Sequence, residues 1–295
     1  MTSHSPRRSD TVRPLRSRHP LISVVTCSYQ QVRYLEQAMQ SVIEQDYPRL
    51  EYIVIDGGST DGSAKVIERY DHALAYWVSE SDQGQTDGLV KGFRRATGDI
   101  HGWLCSDDLL LPGALDTVAE FFHEHPHVMA AYGDALWIDG EGRFLRAKKE
   151  MGFNRFVFLH DHNYIPQPSM FWRSSLYEAA GGLDPDFHLA MDADLWERFS
   201  LLGPIARIPR YLSCMRYYPE QKTRARRAEG RVEDLTIRAR TVHPLALQGV
   251  PHKLLRLLAR SIRVVSKAAT GGYTARVPEE HLSWLGRGAS GGAGK

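Results

Sequence analysis

The chain has 295 residues, of which 42% are hydrophobic and 10% aromatic, enough for a substantial core in one large domain or in one domain with a long tail. Its formal net charge of +2 gives no argument for nucleic-acid binding. It contains no run of about 18 uncharged apolar residues, which excludes a membrane-spanning helix, and residues 1–20 lack the apolar run of a signal peptide.

Two further features of composition concern the environment of the protein. Residues 1–20 carry five arginines against a single Asp10, with serines and prolines between them, which predicts a disordered basic arm. The three cysteines, Cys27, Cys105 and Cys214, are far apart and form no CxxC motif. We interpret them as small apolar residues in a reducing compartment. We therefore expect a cytoplasmic protein and leave open a peripheral position at the inner face of a membrane.

Short strands alternate with helices from residue 21 to residue 133. The strands are β-branched apolar runs, typical of strands buried on both faces, and the helices have amphipathic spacing. This alternation predicts an α/β fold with a Rossmann-like, mostly parallel sheet and helices on both faces. The predicted strands are 21–26, 52–56, 73–78, 100–105 and 128–132, and the predicted helices are 32–44, 63–70, 85–96 and 114–123.

The pattern changes after Gly133, and we expect residues 134–223 to build a substrate cleft over the sheet. Prolines flank the run 166–172, which predicts an edge strand. The other predicted elements are a hairpin over 135–148, helices over 174–180 and 192–202, and a last strand over 206–217.

Beyond residue 223 the chain is rich in arginine and predicts a basic helical tail. Residues 252–267 place an apolar stripe opposite basic side chains on one helix. A membrane-surface helix and a helix packed on the domain, with its basic face in solvent, both fit this pattern. The glycine-rich segment 286–295 is predicted to be disordered.

Acidic loops follow three of the predicted strands. Residues 56–62 read Asp-Gly-Gly-Ser-Thr-Asp-Gly, residues 79–87 contain three carboxylates, and Asp107 and Asp108 follow the fourth strand. Ligands of open α/β sheets bind at the carboxyl ends of the strands, so these loops indicate one polar cleft. Taken alone, 56–62 also fits an ordinary Asx turn, and it is neither a GxGxxG motif nor a P-loop.

Asp107 and Asp108 are candidates for a metal site. Side chains alternate along an extended segment, so one carboxylate can hold a divalent cation while its neighbour contacts sugar or protein. Hard oxygen ligands suit Mg²⁺ or Mn²⁺ carrying phosphate. The alternative is a helix N-cap, with Ser106 or an aspartate capping a helix that begins near Pro112.

Asp192 and Asp194 stand at the start of a predicted helix. Carboxylates there can simply favour the helix dipole. The functional alternative makes Asp192 a general base, which must reach a hydroxyl directly and have its pKa tuned by burial.

As a set, these motifs resemble family 2 glycosyltransferases. The matching segments run in order from residue 21 to residue 223: Thr26-Cys-Ser-Tyr29, Gln45-Asp-Tyr-Pro48, Glu51 to Gly62, Glu80 to Asp87, Gly98-Asp-Ile100, Trp103 to Asp108, Pro166-Gln-Pro168, Met191 to Trp196 and Lys222-Thr223. The resemblance implies a GT-A fold, a nucleotide-sugar donor such as a UDP-sugar, and an inverting transfer. Within this domain, residues 21–133 would be the nucleotide-sugar-binding half and residues 134–223 the acceptor half. The acceptor would be a hydroxyl of a glycan or lipid-linked molecule, as in cell-surface polysaccharide assembly.

The resemblance also implies residue roles. Asp108 would be the principal ligand of Mn²⁺ or Mg²⁺, Asp107 would contact donor ribose or sugar, and Asp192 would be the base that activates the acceptor. Thr26 and Tyr29 would border the nucleotide, Asp56 would bind the base, and Asp82 would help to enclose it. The remaining donor-binding candidates are Lys91, Arg216 and Lys222.

The sequence departs from the family pattern at several positions. Tyr218 stands where many relatives carry a His near the donor phosphates, so Arg216 or Lys222 is expected to take over the diphosphate contacts. The absence of a QxxRW motif argues against a processive synthase. Two alternatives remain. A sugar-nucleotide nucleotidyltransferase expects a glycine-rich loop with a lysine after the first strand, which the run 26–31 lacks. A non-catalytic glycan-binding protein on the same fold is favoured only by Tyr218.

Overall fold

The computed structural model describes residues 17–241 and 247–290, with no account of the side chains of residues 287–290. Most of the predicted basic arm, residues 1–16, lies outside this part of the chain. The strands are β1 (Ile22–Ser28), β2 (Leu50–Asp56), β3 (Tyr76–Ser79), β4 (Ile100–Cys105), β5 (Leu109–Leu110), β6 (Ala130–Ile138), β7 (Phe144–Lys148), β8 (Met170–Arg173) and β9 (Ile205–Arg216).

Helices connect most of these strands and form the tail. They are α1 (Val32–Ile43), α2 (Ser63–Arg69), α3 (Gln85–Phe93), α4 (Ala114–Glu124), α5 (Arg155–His160), α6 (Ser174–Ala179), α7 (Met191–Leu202), α8 (Lys222–Ala225), α9 (Arg227–Arg240), α10 (His252–Ala269) and α11 (Glu279–Ser290). Two short 3₁₀ turns cover Asp71–Ala73 and Gln167–Ser169.

All nine strands join one sheet in the order β3-β2-β1-β4-β8-β6-β9-β5, with β7 paired to β6. The first four in this order are parallel, as predicted. The second half is mixed, because β8 runs antiparallel to both β4 and β6, while β9 runs parallel to β6. The α/β class is confirmed, and the mostly parallel order holds for the first half of the sheet.

The prediction of an edge strand over 166–172 is wrong. Strand β8 lies in the interior of the sheet and pairs on both sides, with β4 and with β6. Pro166 and Pro168 do not disturb this pairing because they lie before β8, at and within the 3₁₀ turn Gln167–Ser169. Proline excludes a segment from a central strand only where its missing N–H is needed by the ladder.

Hydrophobic clusters cover both faces of the sheet. One cluster joins α3, α5 and α7 and contains Trp103, Trp172 and Trp196, with Ile237 of α9. The other joins α1, α2 and α4. This arrangement, with helices on both faces, leaves the carboxyl ends of β1 to β4 as the open edge at which a ligand can bind.

The tail is helical, and its helices pack on the domain. Leu285 of α11 joins Leu109 and Leu111 in a small third cluster beside β5. Helix α11 extends to Ser290, into the segment 286–295 that was predicted to be disordered, and residues 291–295 lie outside the described chain. Within the described residues, no helix combines the length and apolarity needed to cross a membrane.

Candidate active site

The parallel register brings the ends of four strands together. Ser28 pairs with Asp56, Asp56 with Ser79, and Cys27 with Cys105. Asp56 is fully buried, and its carboxylate accepts hydrogen bonds from the Ser59 hydroxyl at 2.6 Å, the Ser59 N–H at 2.9 Å and the Ser79 hydroxyl at 2.6 Å. Asp56 therefore orders its own loop and forms the floor of the edge beyond β2.

The Asp82 carboxylate lies close to Gly57 in the same loop. A Cβ atom on Gly57 would lie 2.8 Å from an oxygen of Asp82, so a side chain at this position would displace the Asp82 carboxylate. The Asp82 carboxylate also accepts from the Gly84 N–H at 2.8 Å, which holds the loop before α3. Tyr29, at the end of β1, is 61% exposed and offers a free ring at this edge.

Asp107 and Asp108 lie in the loop between β4 and β5, and they do not cap α4. That helix begins after Gly113 without any side-chain cap, so the N-cap alternative is wrong. Asp108 accepts from the Arg216 backbone N–H at 2.8 Å, and Asp107 accepts from the Tyr218 hydroxyl at 2.9 Å. Both bonds come from β9 and the segment after it, which fix the aspartate loop.

The electrostatics of this loop fit a cation. Burial raises the pKa of Asp108 well above its usual value and the charge of Asp107 raises it further, while burial also raises the pKa of Asp107. Ligand atoms of Cys105, Asp107 and Asp108 lie within 4.8 Å of one another. Two crowded, buried carboxylates are the donor set that a hard divalent cation prefers.

The thiol of Cys105 is a poor ligand in this set. Burial raises the pKa of the Cys105 thiol well above its usual value, as do the charges of Asp108, Asp107 and Asp192. The neutral thiol donates to the Gln167 side chain at 3.3 Å and accepts from Gln85 Nε2 at 3.4 Å.

Arg216 differs from its predicted role as a diphosphate contact. Its guanidinium is fully buried and donates to the carbonyls of Asp107, Asp139 and Gly140 and to the Gln37 side chain, at 2.8 to 3.2 Å. It also lies 4.6 Å from the ring centroid of Tyr34. Because its guanidinium N–H groups donate to acceptors inside the protein, Arg216 holds the aspartate loop in place.

Lys222 remains available at the cleft. Its Nζ atom donates to Gln85 Oε1 at 3.2 Å and to the His188 carbonyl at 2.7 Å. Burial lowers the pKa of Lys222, and the charge of Arg226 lowers it further. This lysine therefore bridges the α3 side of the cleft to the loop before α7.

Two other donor-binding predictions do not match the geometry. Thr26 lies within β1 rather than at its end, is fully buried, and accepts from the Tyr52 hydroxyl at 3.1 Å. Lys91 pairs with Glu80 at 3.1 Å and Asp87 at 3.5 Å within its own segment. Neither side chain contacts the aspartate loop in the part of the chain described.

Asp192 stands in the first turn of α7. Its carboxylate accepts from Asn163 Nδ2 at 2.8 Å and from the Ala193 N–H at 2.8 Å. Burial raises the pKa of Asp192 to about 6, the two hydrogen bonds lower it, and the charge of Asp234 raises it. A carboxylate with a pKa near neutrality has the proton affinity that a general base needs.

Sequence reasoning assigned no role to several residues of this site. Gln85 links Cys105 to Lys222, and Asn163 orients Asp192. Asp234 of α9 faces Asp192 electrostatically, and Glu233 accepts from the N–H groups of residues 188–190 at 2.7 to 3.0 Å. The position of Gln85 at the start of a helix was a usable signal, whereas Glu233 and Asp234 are brought in by the tail with no local motif.

Known proteins resemble this chain in sequence. The family model described as glycosyl transferase family 2 matches residues 23–179. An uncharacterized glycosyltransferase of Mycobacterium tuberculosis is 32% identical over 189 residues, which cover 62% of this chain and 70% of that protein. TuaG of Bacillus subtilis, named for teichuronic acid biosynthesis, is 30% identical over 141 residues, 46% of this chain and 56% of its own.

Solved structures resemble the fold. S. aureus TarS with UDP-GlcNAc superposes with a TM-score of 0.62 at 16% identity, covering 90% of this chain and 79% of that one. The mannosyltransferase PcManGT of Pyrobaculum calidifontis, with GDP-Man and Mn²⁺, has a TM-score of 0.59 at 20% identity, covering 96% and 84%. At these identities the likeness concerns the fold, here the GT-A fold. The family match spans more than half of the sequence, so the chain belongs to glycosyl transferase family 2 and is a glycosyltransferase.

Proposed function

We propose that this enzyme transfers one sugar from a nucleotide-sugar, most simply a UDP-sugar, to a hydroxyl of a glycan or lipid-linked acceptor, with inversion and with a divalent cation. The observation that carries the proposal is the cluster of Cys105, Asp107 and Asp108 at the strand ends, whose ligand atoms lie within 4.8 Å of one another, with the charge of Asp192 also acting on Cys105. UDP-GlcNAc in TarS and the biosynthetic name of TuaG support a cell-surface polysaccharide as the product.

The donor would lie along the carboxyl ends of β1 to β4. Tyr29 offers an exposed ring to the base, while Asp56 and Asp82 order the loop around it. Lys222 is the cation nearest to the place where a diphosphate would lie, and Asp107 would contact the ribose or the sugar. Tyr218, bonded to Asp107, occupies the position of the usual His and orients the carboxylate beside the diphosphate.

Asp108, with Asp107 beside it, would hold Mn²⁺ or Mg²⁺, whose Lewis acidity compensates the charge that grows on the leaving diphosphate. Strand β9 holds the two aspartates in position, because the backbone N–H of Arg216 donates to Asp108 and its guanidinium donates to the carbonyl of Asp107. No protein nucleophile is required by the arrangement.

Asp192 would act as the base on the acceptor side. It takes the proton of the acceptor hydroxyl while that oxygen bonds to the anomeric carbon, and the bond from this carbon to the diphosphate oxygen breaks on the opposite face. A single displacement of this kind inverts the anomeric centre. Asn163 holds Asp192 in place, and a pKa of about 6 leaves it mostly ionised at neutral pH.

The test pairs a metal titration with a variant of the base. UDP binding, followed by calorimetry with and without Mn²⁺, should tighten with the metal in the wild type and lose that gain in Asp108→Asn. Asp192→Asn should bind UDP with Mn²⁺ as the wild type does but lose transfer by on the order of a hundredfold or more. Metal-independent UDP binding contradicts the cation role, and persistent transfer in Asp192→Asn removes Asp192 as the base.

A lipid-linked acceptor would place the enzyme at the inner face of a membrane. Family membership favours glycosyl transfer over the nucleotidyltransferase and non-catalytic alternatives. Screening a panel of nucleotide-sugars for metal-dependent thermal stabilisation would identify the donor, because a ligand that binds the folded state alone stabilises it.

A further inference from the structure

Helix α10 presents an apolar stripe away from the domain. Leu255, Ala259 and Ile262 pack inward. On the opposite side of the helix, five large apolar side chains are 42% to 69% exposed: Leu254, Leu257, Leu258, Val264 and Val265. Because each residue turns the helix by about 100°, these five form one continuous stripe, which we call the outer stripe.

A row of cations borders the outer stripe. Lys253, Arg256 and Arg260 are exposed and lie along one edge of the stripe, and among the described residues none of them forms an ion pair. Arg263 and Lys267, further along, are instead paired with Asp161 at 2.6 Å and Glu150 at 2.9 Å. The second pair of cations therefore anchors α10 to the domain, while the first three, the cationic row, face outward.

Helix α10 follows α9 and meets it at one end. Arg238 near the end of α9 contacts His252 at the start of α10, at 3.3 Å, and both helices pack on the cluster that contains Trp196. Five exposed apolar side chains on one side of α10 exceed what scattered surface residues would produce and mark an interaction surface.

We propose that the outer stripe and the cationic row of α10 bind a membrane surface that contains anionic lipids, with the helix axis in the plane of the interface. The leucines and valines of the outer stripe would insert at the boundary between lipid headgroups and acyl chains. The cationic row, along one edge of the stripe, would contact the lipid phosphates. A second copy of the chain is a poorer occupant, because a two-fold contact would bring the same cationic row from both copies to one interface. Helix α10 itself contains no acidic residue that could complement it.

Membrane binding would present the cleft to lipid-linked acceptors, a consequence that rests on the proposed function. Glu233 of α9 holds the loop that leads into Asp192, so the helices at the proposed membrane surface adjoin the acceptor side of the cleft. The binding itself does not depend on the transfer reaction. Vesicle binding and transfer to a soluble acceptor can therefore succeed or fail separately.

The experiment is co-sedimentation of the full chain with vesicles of phosphatidylcholine alone and of equal parts phosphatidylcholine and phosphatidylglycerol. We expect binding to the mixed vesicles that weakens as salt is raised, and little binding to the neutral ones. Leu257→Ser/Leu258→Ser should abolish it. The matched control is Leu201→Ser/Leu202→Ser, which alters two leucines at the end of α7 that are 60% and 49% exposed. That control should bind as the wild type does.

A second pair of variants tests the cations. Arg256→Gln/Arg260→Gln should weaken binding to the mixed vesicles on the order of thirtyfold, whereas Lys65→Gln/Arg94→Gln, which removes two charges from α2 and the end of α3, should not. Circular dichroism verifies that each variant is folded. The proposal is overturned if the wild type ignores anionic vesicles, if the leucine variant binds like its control, or if ultracentrifugation shows a dimer that Leu257→Ser/Leu258→Ser dissociates.

Discussion

At the scale of single residues, Asp192 combines a functional position with a perturbed proton affinity. Burial is the main cause of its pKa of about 6, and the carboxylate of Asp234 on α9 adds to it. Asn163 and the Ala193 N–H act in the opposite direction. The groups around Asp192 come from different parts of the chain. Its pKa is the balance between those that raise it and those that lower it.

The pH dependence of transfer should report this balance. Asp192 is active when ionised, so kcat/KM should fall about tenfold per pH unit below an acid limb near pH 6. Asp234→Asn removes a like charge and should move the limb to lower pH by several tenths of a unit or more. Asn163→Ala removes a bond to the ionised form and should move it to higher pH. Limbs that stay in place in both variants contradict the assignment.

The same pKa has a consequence for stability. A carboxyl group whose pKa is higher in the folded state penalises folding when it is ionised, so the penalty is complete above pH 6 and disappears toward pH 4. Asp192→Asn should therefore raise the free energy of unfolding at pH 7 by on the order of 2 kcal/mol. Any hydrogen bond that the asparagine no longer accepts reduces this gain by its own free energy. Urea unfolding at pH 7 and pH 4 checks both the gain and its disappearance; an equal effect at both values contradicts it.

The site residues that could be predicted are those with distinctive chemistry at a strand end. Asp56, Asp107 and Asp108 follow strands whose apolar runs are plain in the sequence, so topology alone brings them together. Thr26 was predicted to lie at the end of the first strand, but β1 continues to Ser28 and Thr26 therefore lies within the strand. Arg216 was misplaced because the direction of a side chain on a long strand depends on register, which local sequence does not reveal.

At the scale of elements, α9 completes the start of α7. The first N–H groups of a helix and of the turn before it lack intrahelical partners. The N-cap residue of α7, Ala190, makes no side-chain cap bond, and Glu233 of α9 accepts from the N–H groups of His188, Leu189 and Ala190. The His188 carbonyl in the same turn accepts from Lys222, so one loop links the donor and acceptor sides.

Glu233 is therefore a positioning residue. Glu233→Gln should lower kcat by about tenfold and the free energy of unfolding by about 1 to 2 kcal/mol, because an amide cannot accept at all three N–H groups. The KM for the donor should change less than kcat. Glu229→Gln on the same helix is the control, since Glu229 is exposed and pairs with Arg226. Equal kinetics for the two variants would show that Glu233 has no such role.

The elements with strong periodicity were predictable, and the others show why some are not. Strands β1 to β4 and helices α1 to α4 follow from apolar period and glycine positions. Strand β5 has two residues and exists only because β9 lies beside it. Helix α5 has only six residues, which is too short to show a helical period in the sequence. Strand β8 can be central because Pro166 and Pro168 lie before it and outside its hydrogen-bond ladder. In each case long-range contacts override the local signal.

At the scale of the whole molecule, the tail packs beside two parts of the candidate site. The family match ends at residue 179, yet Glu233 binds the turn before α7, the charge of Asp234 acts on Asp192, and Leu285 of α11 packs with Leu109 and Leu111. Helix α11 packs on β5 and its neighbours, and β5 directly follows Asp107 and Asp108. Arg216 thus binds the aspartate loop itself, and the last described helix packs against the residues that follow it.

This arrangement predicts that a mutation in α11 affects the aspartate loop. Leu285 is 6% exposed and packs with Leu109 and Leu111, so Leu285→Ala should leave a cavity and cost about 2 kcal/mol or more of unfolding free energy. Because the loop of Asp107 and Asp108 adjoins that cluster, metal-dependent UDP binding should weaken in parallel. Leu282→Ala, on the same helix but 37% exposed, should change both far less. A destabilised Leu285→Ala protein whose metal-dependent UDP affinity stays unchanged would show that the loop is held by β9 alone, without help from α11.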